Sequence, residues 1–331
     1  MNSFGRIFRI SIFGESHGES VGIVIDGCPA GLLLSPEDLL PDLERRKGGK
    51  QKGTTPRQEE DFPIFKSGVF NGKTTGFPIT ILFENKNTRS EDYNKQRSIP
   101  RPGHADWVAH QKFGGHEDYR GGGHFSARLT TGIVAAGAIA KKLMNDLSIQ
   151  AEVTEIGGEK DLEKGLQKAI DAKDSVGGII ECRVNGLPVG LGEPYFDSLE
   201  SVLSHILFAI PAVRGVEFGT GFAAAKMFGS EHNDAITNMQ GKTKTNHAAG
   251  VVGGISNGNE LVFRLAVKPT SSTPKEQESL NWDTEQVEKF SIKGRHDLCV
   301  ALRAPVIVEA VTAIVLADLL MLEQRIPGVI S

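Results

Sequence analysis

Close to the amino terminus, Gly14-Glu15-Ser16-His17-Gly18 spells G-x-S-x-G, the pattern of a hydrolase nucleophile elbow. An elbow serine sits on a turn from strand to helix, above a sheet already built. Here the glycine turn is followed by Val21, Ile23 and Ile25, an alternating apolar run closed by Asp26-Gly27. That alternation predicts a β-hairpin. Ser16 is therefore expected to be a bystander, and His17 the more interesting group, with an esterase using Ser16 kept as the competing reading.

Three further stretches concentrate polar chemistry. In ERRKGGKQKGTTPR, the cations Arg45, Arg46, Lys47, Lys50, Lys52 and Arg57 follow a helix into a glycine loop. Helix C-termini attract cations, but this run continues beyond the reach of the macrodipole and suits a multiply anionic small molecule. RPGHADWVAHQKFGGHEDYRGGGHFSAR carries His104, Asp106, His110, His116 and His124 among Arg101, Arg120 and Arg128. The histidine spacings match no zinc helix motif and no cysteine helps, so no metal is expected. The interleaved glycines and arginines fit an anion- and flavin-binding surface better, with His110 and His116 read as structural. Farther on, Lys268-Pro269-Thr270-Ser271-Ser272 offers one cation and three hydroxyls, equipment for a phosphate or ribityl chain or else a polar turn. Arg295-His296-Asp297 then leads into a long apolar helix, where Asp297 is either a helix cap or a functional acid.

The elements that must position these groups follow from composition and pattern. The 331 residues carry a net charge of −4, 39% hydrophobic and 24% charged side chains, which indicates neither a disordered chain nor a nucleic-acid coat, and a non-catalytic anion- or RNA-binding module using the basic loops is kept as a second competing reading. Cys28, Cys182 and Cys299 are far apart, which excludes a disulfide framework or zinc ribbon and fits a cytoplasmic location. Arg6 and Arg9 interrupt the apolar start, unlike a signal peptide. In APVIVEAVTAIVLADLLMLEQRI, Glu309 and Asp318 break the run, so a buried helix is expected and no membrane partner.

The two halves also echo each other in order: Asp26-Gly27-Cys28-Pro29-Ala30-Gly31-Leu32 against Asn185-Gly186-Leu187-Pro188-Val189-Gly190-Leu191, then two further pairs of segments. The expected fold is α+β, one domain of two pseudo-repeats (about 1–150 and 175–331), with residues 154–174 as the surface crossover. Long helices are predicted at 128–145 and 303–324. Ser35-Pro36-Glu37-Asp38 predicts a capped helix start, with Pro41 forcing a kink or a late start.

Taken together, FGESHG, RPGHAD, YRGGG with SAR, NHAAG with GGISNG, KPTSS and GRHD resemble the chorismate synthase family in order and spacing over nearly the whole chain. The resemblance implies a β-α-β sandwich, with long helices between two antiparallel sheets, assembled as a homotetramer. It implies a lyase that converts 5-enolpyruvylshikimate 3-phosphate to chorismate and phosphate with reduced FMN and no net redox change, NADPH being one candidate reductant. By the same resemblance His17 protonates the departing phosphate, His104 stabilises the reduced ring and Asp297 takes up the proton. Arg46, Lys52, Arg101, Arg128 and Arg295 clamp the substrate anions. His124, Phe125, Ser126, Lys244, Thr245, Gly253, Lys268, Pro269, Thr270, Ser271, Ser272 and Arg295 surround FMN. Many family members have arginine in place of Lys52, which here exchanges a bidentate clamp for a point charge.

Overall fold

The computed structural model describes residues 2–49, 52–55, 59–87, 97–292 and 296–330. Lys50, Arg57 and Arg295 lie outside the described residues. The first antiparallel sheet is built on strands β1 (Arg9–Gly14) and β2 (Ser20–Asp26), paired as a hairpin with Ile12 opposite Ile23. β3 (Ile64–Ser67) and β4 (Ile79–Glu84) complete it in the order β1-β2-β4-β3, with the short strand Ser3–Phe4 on the outer edge of β1. The second sheet contains β5 (Ser148–Ile156), β6 (Gly178–Asn185), β7 (Val213–Phe218) and β8 (Leu261–Val267) in the order β5-β6-β8-β7. The two orders are the same: the first two strands of each set pair antiparallel, then come the fourth and the third, although β5 and β6 are joined through a helix where β1 and β2 form a hairpin. A separate hairpin, β9 (Gln277–Asn281) with β10 (Gln286–Phe290), projects after the second sheet.

The echoed sequence segments share their hydrogen bonding too. Buried Thr74 donates its hydroxyl to the Pro29 carbonyl at 2.6 Å and accepts from the Leu32 amide at 2.9 Å. Ser256 makes the same pair with Pro188 and Leu191, at 2.6 and 2.9 Å. A hydroxyl satisfies both otherwise stranded backbone groups of the turn, so either Ser or Thr serves.

The longer helices among the described residues are α1 (Leu40–Arg46), α2 (Asp106–Phe113), α3 (Thr130–Lys142), α4 (Leu162–Ala172), α5 (Leu199–Leu207) and α6 (Pro305–Leu322). Ser35 and Asp38 form a capping box over a 3-10 turn, and α1 starts only at Leu40, with Pro41 in its first turn. α3 and α6 are shorter than expected because each is entered through a 3-10 turn, Ala127–Leu129 and Val300–Arg303. They pack on each other, α3 against β2 and α6 against β5, so both lie between the sheets. By length and composition α6 could cross a membrane, but 89% of it is buried inside the protein. Its two acids have partners that suit a core. Asp318 accepts the backbone amides of Arg6, Ile7 and Phe8 at 2.7–2.9 Å. Glu309 takes a bidentate pair from Arg45 at 2.6 and 2.7 Å and Lys141 at 2.9 Å.

The helix pair is close because Gly137 faces Ala310, and a Cβ at 137 would lie 2.3 Å from the Ala310 Cβ and 2.4 Å from its Cα. Gly137→Ala gains about 1 kcal/mol of helix propensity, but the overlap is with backbone and cannot be relieved by a rotamer. Overpacking of this kind costs about 1–3 kcal/mol or more, so the variant is expected to unfold at lower temperature than the parent. An unchanged or raised melting temperature in calorimetry would show that the helices can separate without loss.

Candidate active site

A cavity of about 560 Å3 opens where elements of the two halves meet. The first half contributes the end of α1, the loop before α2 and the entry to α3; the second contributes the α5–β7 connection, the segment after β8 and the lead-in to α6. Of the sequence-predicted residues, Arg46, Arg101, His104, His124, Phe125, Ser126, Arg128, Lys268, Pro269, Thr270, Ser271 and Asp297 line it.

Three of its arginines, Arg46, Arg101 and Arg128, are held by carboxylates. Buried Asp61 receives Arg46 Nη2 at 2.7 Å and also Arg128 Nη1, so two guanidinia share one acid. Burial opposes the charge on Asp61, but the two arginines outweigh it and hold its carboxyl below the usual range. Arg128 also donates Nε to Asn85 at 2.9 Å, and Asn85 donates to the carbonyls of Glu15 and Gly18 at 3.0 and 2.9 Å. The loop bearing His17 is thereby tied to the arginine.

Arg101 is bidentate to Asp106, Nε to Oδ2 and Nη2 to Oδ1, both at 2.7 Å. His104 Nδ1 lies 2.5 Å from Asp106 Oδ1. A carboxylate can only accept, so Nδ1 carries the proton and the neighbouring Arg101 Nη2, 3.0 Å away, cannot donate to it. Burial opposes ionisation of Asp106, yet the bonds from Arg101 and His104 hold its carboxyl far below the usual range. Buried Ser272 lies behind the wall, receiving Arg101 Nη1 at 3.4 Å.

Asp297 is not a helix cap. The N-cap position of the following turn is Cys299. The carboxylate instead accepts the Thr55 amide at 2.8 Å and Arg303 Nη1 at 3.0 and 3.3 Å. Two further lining residues, His296 through Nε2 and Thr270 through Oγ1, carry buried atoms without a hydrogen-bond partner among the described residues. Burial, then Arg101, pushes the His296 pKa down, so its ring is neutral at pH 7. Lys268 donates to the Gly103 carbonyl at 2.7 Å, and His124 Nδ1 to the Gly14 carbonyl at 2.9 Å.

His17 is buried and does not line the cavity. In the run Gly121-Gly122-Gly123, all at positive φ, Gly121 rests against His17 and Gly122 against His104. A Cβ at Gly121 would be 2.5 Å from the His17 Cδ2 and Nε2, so only glycine lets the loop rest on that imidazole. Ser16 is 0% exposed, in a hairpin loop, which removes the esterase reading. Lys52 points away, donating to Gln167 on α4 at 3.0 Å. Lys244, Thr245 and Gly253 are likewise outside the cavity lining, with the Thr245 hydroxyl on Asp234 at 2.7 Å. Residue types alone had not singled out Asp61, Thr55 or Arg303. Asp106 was visible through its H-x-D spacing.

An α+β sandwich with an arginine-walled cavity between its halves offers a site whose charge suits a small anionic molecule. A profile of the family described as chorismate synthase matches residues 8–321. The chain is 68% identical to a chorismate synthase of Chitinophaga pinensis over 98% of each protein, and 45% identical to one of Dehalococcoides mccartyi over 100% of this chain and 99% of that one. A crystal structure of chorismate synthase superposes with a TM-score of 0.73 at 26% identity, covering 97% of this chain and 93% of the other. The chain belongs to the chorismate synthase family, lyases of the shikimate pathway.

Proposed function

We propose that this enzyme eliminates phosphate from 5-enolpyruvylshikimate 3-phosphate to form chorismate, using reduced FMN. The observation that carries the reading is the cavity wall itself: Arg46, Arg101 and Arg128, each fixed by a buried or half-buried carboxylate, beside Lys268 and the Thr270 and Ser271 hydroxyls. A substrate with one phosphate and two carboxylates requires cations that are already oriented and partly desolvated. The volume lies within the range of small-molecule sites.

The donor set also fits the cofactor. Lys268, Thr270 and Ser271 would hold its phosphate and ribityl chain, Phe125 and Ile133 its ring, and Thr270 Oγ1 has hydrogen-bonding capacity to spare. When bound, reduced FMN supplies transient electron density to the substrate. His104 presents Nε2 with its tautomer set by Asp106, and Asp297 takes up the proton. His17 is assigned to protonating the departing phosphate. Its place behind Gly121 requires the glycine run to move when substrate binds.

Lys244, Thr245 and Gly253 belong to a stretch near the exposed Phe228, Ile236 and Met239 side chains. A homotetramer would bury such a surface and carry these residues to a neighbour's cofactor; the proposed location is the cytoplasm. Anaerobic assay with dithionite-reduced FMN is expected to release many phosphates per flavin, and replacing dithionite by NADPH identifies the reductant. No phosphate release, or full turnover in air with oxidised FMN and no reductant, would overturn the reading.

A further inference from the structure

We infer that Arg303 is a positioning residue for Asp297, tying the acid to the backbone that carries the anion clamp. The inference rests on the proposed role of Asp297 as proton acceptor. Arg303 lines the cavity at the end of the 3-10 turn before α6 and is 17% exposed. One edge of its guanidinium meets both oxygens of Asp297 through Nη1, at 3.0 and 3.3 Å. Its Nε donates to the carbonyl of Arg46 at 3.0 Å, at the C-terminal end of α1. A rigid planar fork thus spans an acid on one side and the residue bearing an anion-binding side chain on the other.

The orientation of Asp297 depends on this fork because the following helical turn gives it no cap. Among the described residues its other tie is the Thr55 amide on Oδ1, and Arg303 holds Oδ2. Lysine at 303 keeps the positive charge, but a single ammonium does not reproduce the fork's two directions at these separations.

Misplacement of a reacting group by about 1 Å can cost roughly 10²-fold in rate. Arg303→Lys is accordingly expected to lower kcat by about tenfold or more, while KM, FMN binding by fluorescence and melting temperature change little. A double-mutant cycle separates this from a purely structural tie. In the Asp297→Asn background, Arg303→Lys should cost less than about threefold further, because its effect passes through the missing carboxylate. An equal, additive loss in both backgrounds would overturn the inference and leave the proposed function standing. So would a loss of kcat that merely follows loss of FMN binding and thermal stability. Asp297→Asn with native kcat would instead remove the proton-acceptor reading, and the inference with it. If Arg303→Lys fails to fold, Arg303→Gln, which retains a planar donor, is carried through the same cycle and judged by the same additivity.

Discussion

Asp297→Asn is expected to lower kcat by roughly 10²-fold or more, with FMN and substrate still binding. The amide keeps an oxygen for the Thr55 N–H, now 2.8 Å from the carboxylate, but it has no basicity with which to accept a proton. A cap replaced in this way would lose only a few tenths of a kcal/mol and no activity. The structure removes that alternative, because Cys299 holds the N-cap position of the next turn. Anaerobic turnover with saturating reduced FMN is the measurement. Near-native kcat would leave the proton without this acceptor.

Asp61→Asn should be the most destabilising single-atom-scale change in the cavity wall. It removes the charge between two buried guanidinia, Arg46 and Arg128, whose side chains are 5% and 4% exposed. Breaking a buried ion pair costs about 3–5 kcal/mol, since it strands an uncompensated charge, and here there are two. The pH dependence follows from the sign of the shift. The Asp61 carboxyl is held below its ordinary value, so its stabilisation is fully present above about pH 4 and is lost as pH falls through the depressed value. The deficit of the variant should therefore be largest at neutral pH and narrow in acid, as measured by urea unfolding. A deficit under about 1 kcal/mol at pH 7 would show that the arginines find other partners.

How far each residue was legible depended on the range of the forces that place it. Alternation at Val21, Ile23 and Ile25 specified the hairpin because side chains on a strand have a period of two, and this also disposed of the elbow at Ser16. The echoed turns were visible because glycine and proline act locally, and the same hydroxyl bridge recurs at Thr74 and Ser256. The buried character of α6 was likewise written in its apolar run.

The basic loop behaved differently. Arg45 and Arg46 are sequence neighbours, yet Arg45 turns to Glu309 and Arg46 to Asp61 and the cavity, because successive residues on a helix point about 100° apart. Residue types showed a concentration of cations; helix phase and the distant partners decided which of them faced the ligand. Asp61, Thr55 and Arg303 carry no local pattern, and they matter only because the halves meet around them. Local sequence thus determined the elements and the inventory of reactive groups. Tertiary packing decided their directions and pairings, since a carboxylate 15 residues from one arginine and 67 from another can unite them only after the chain has folded.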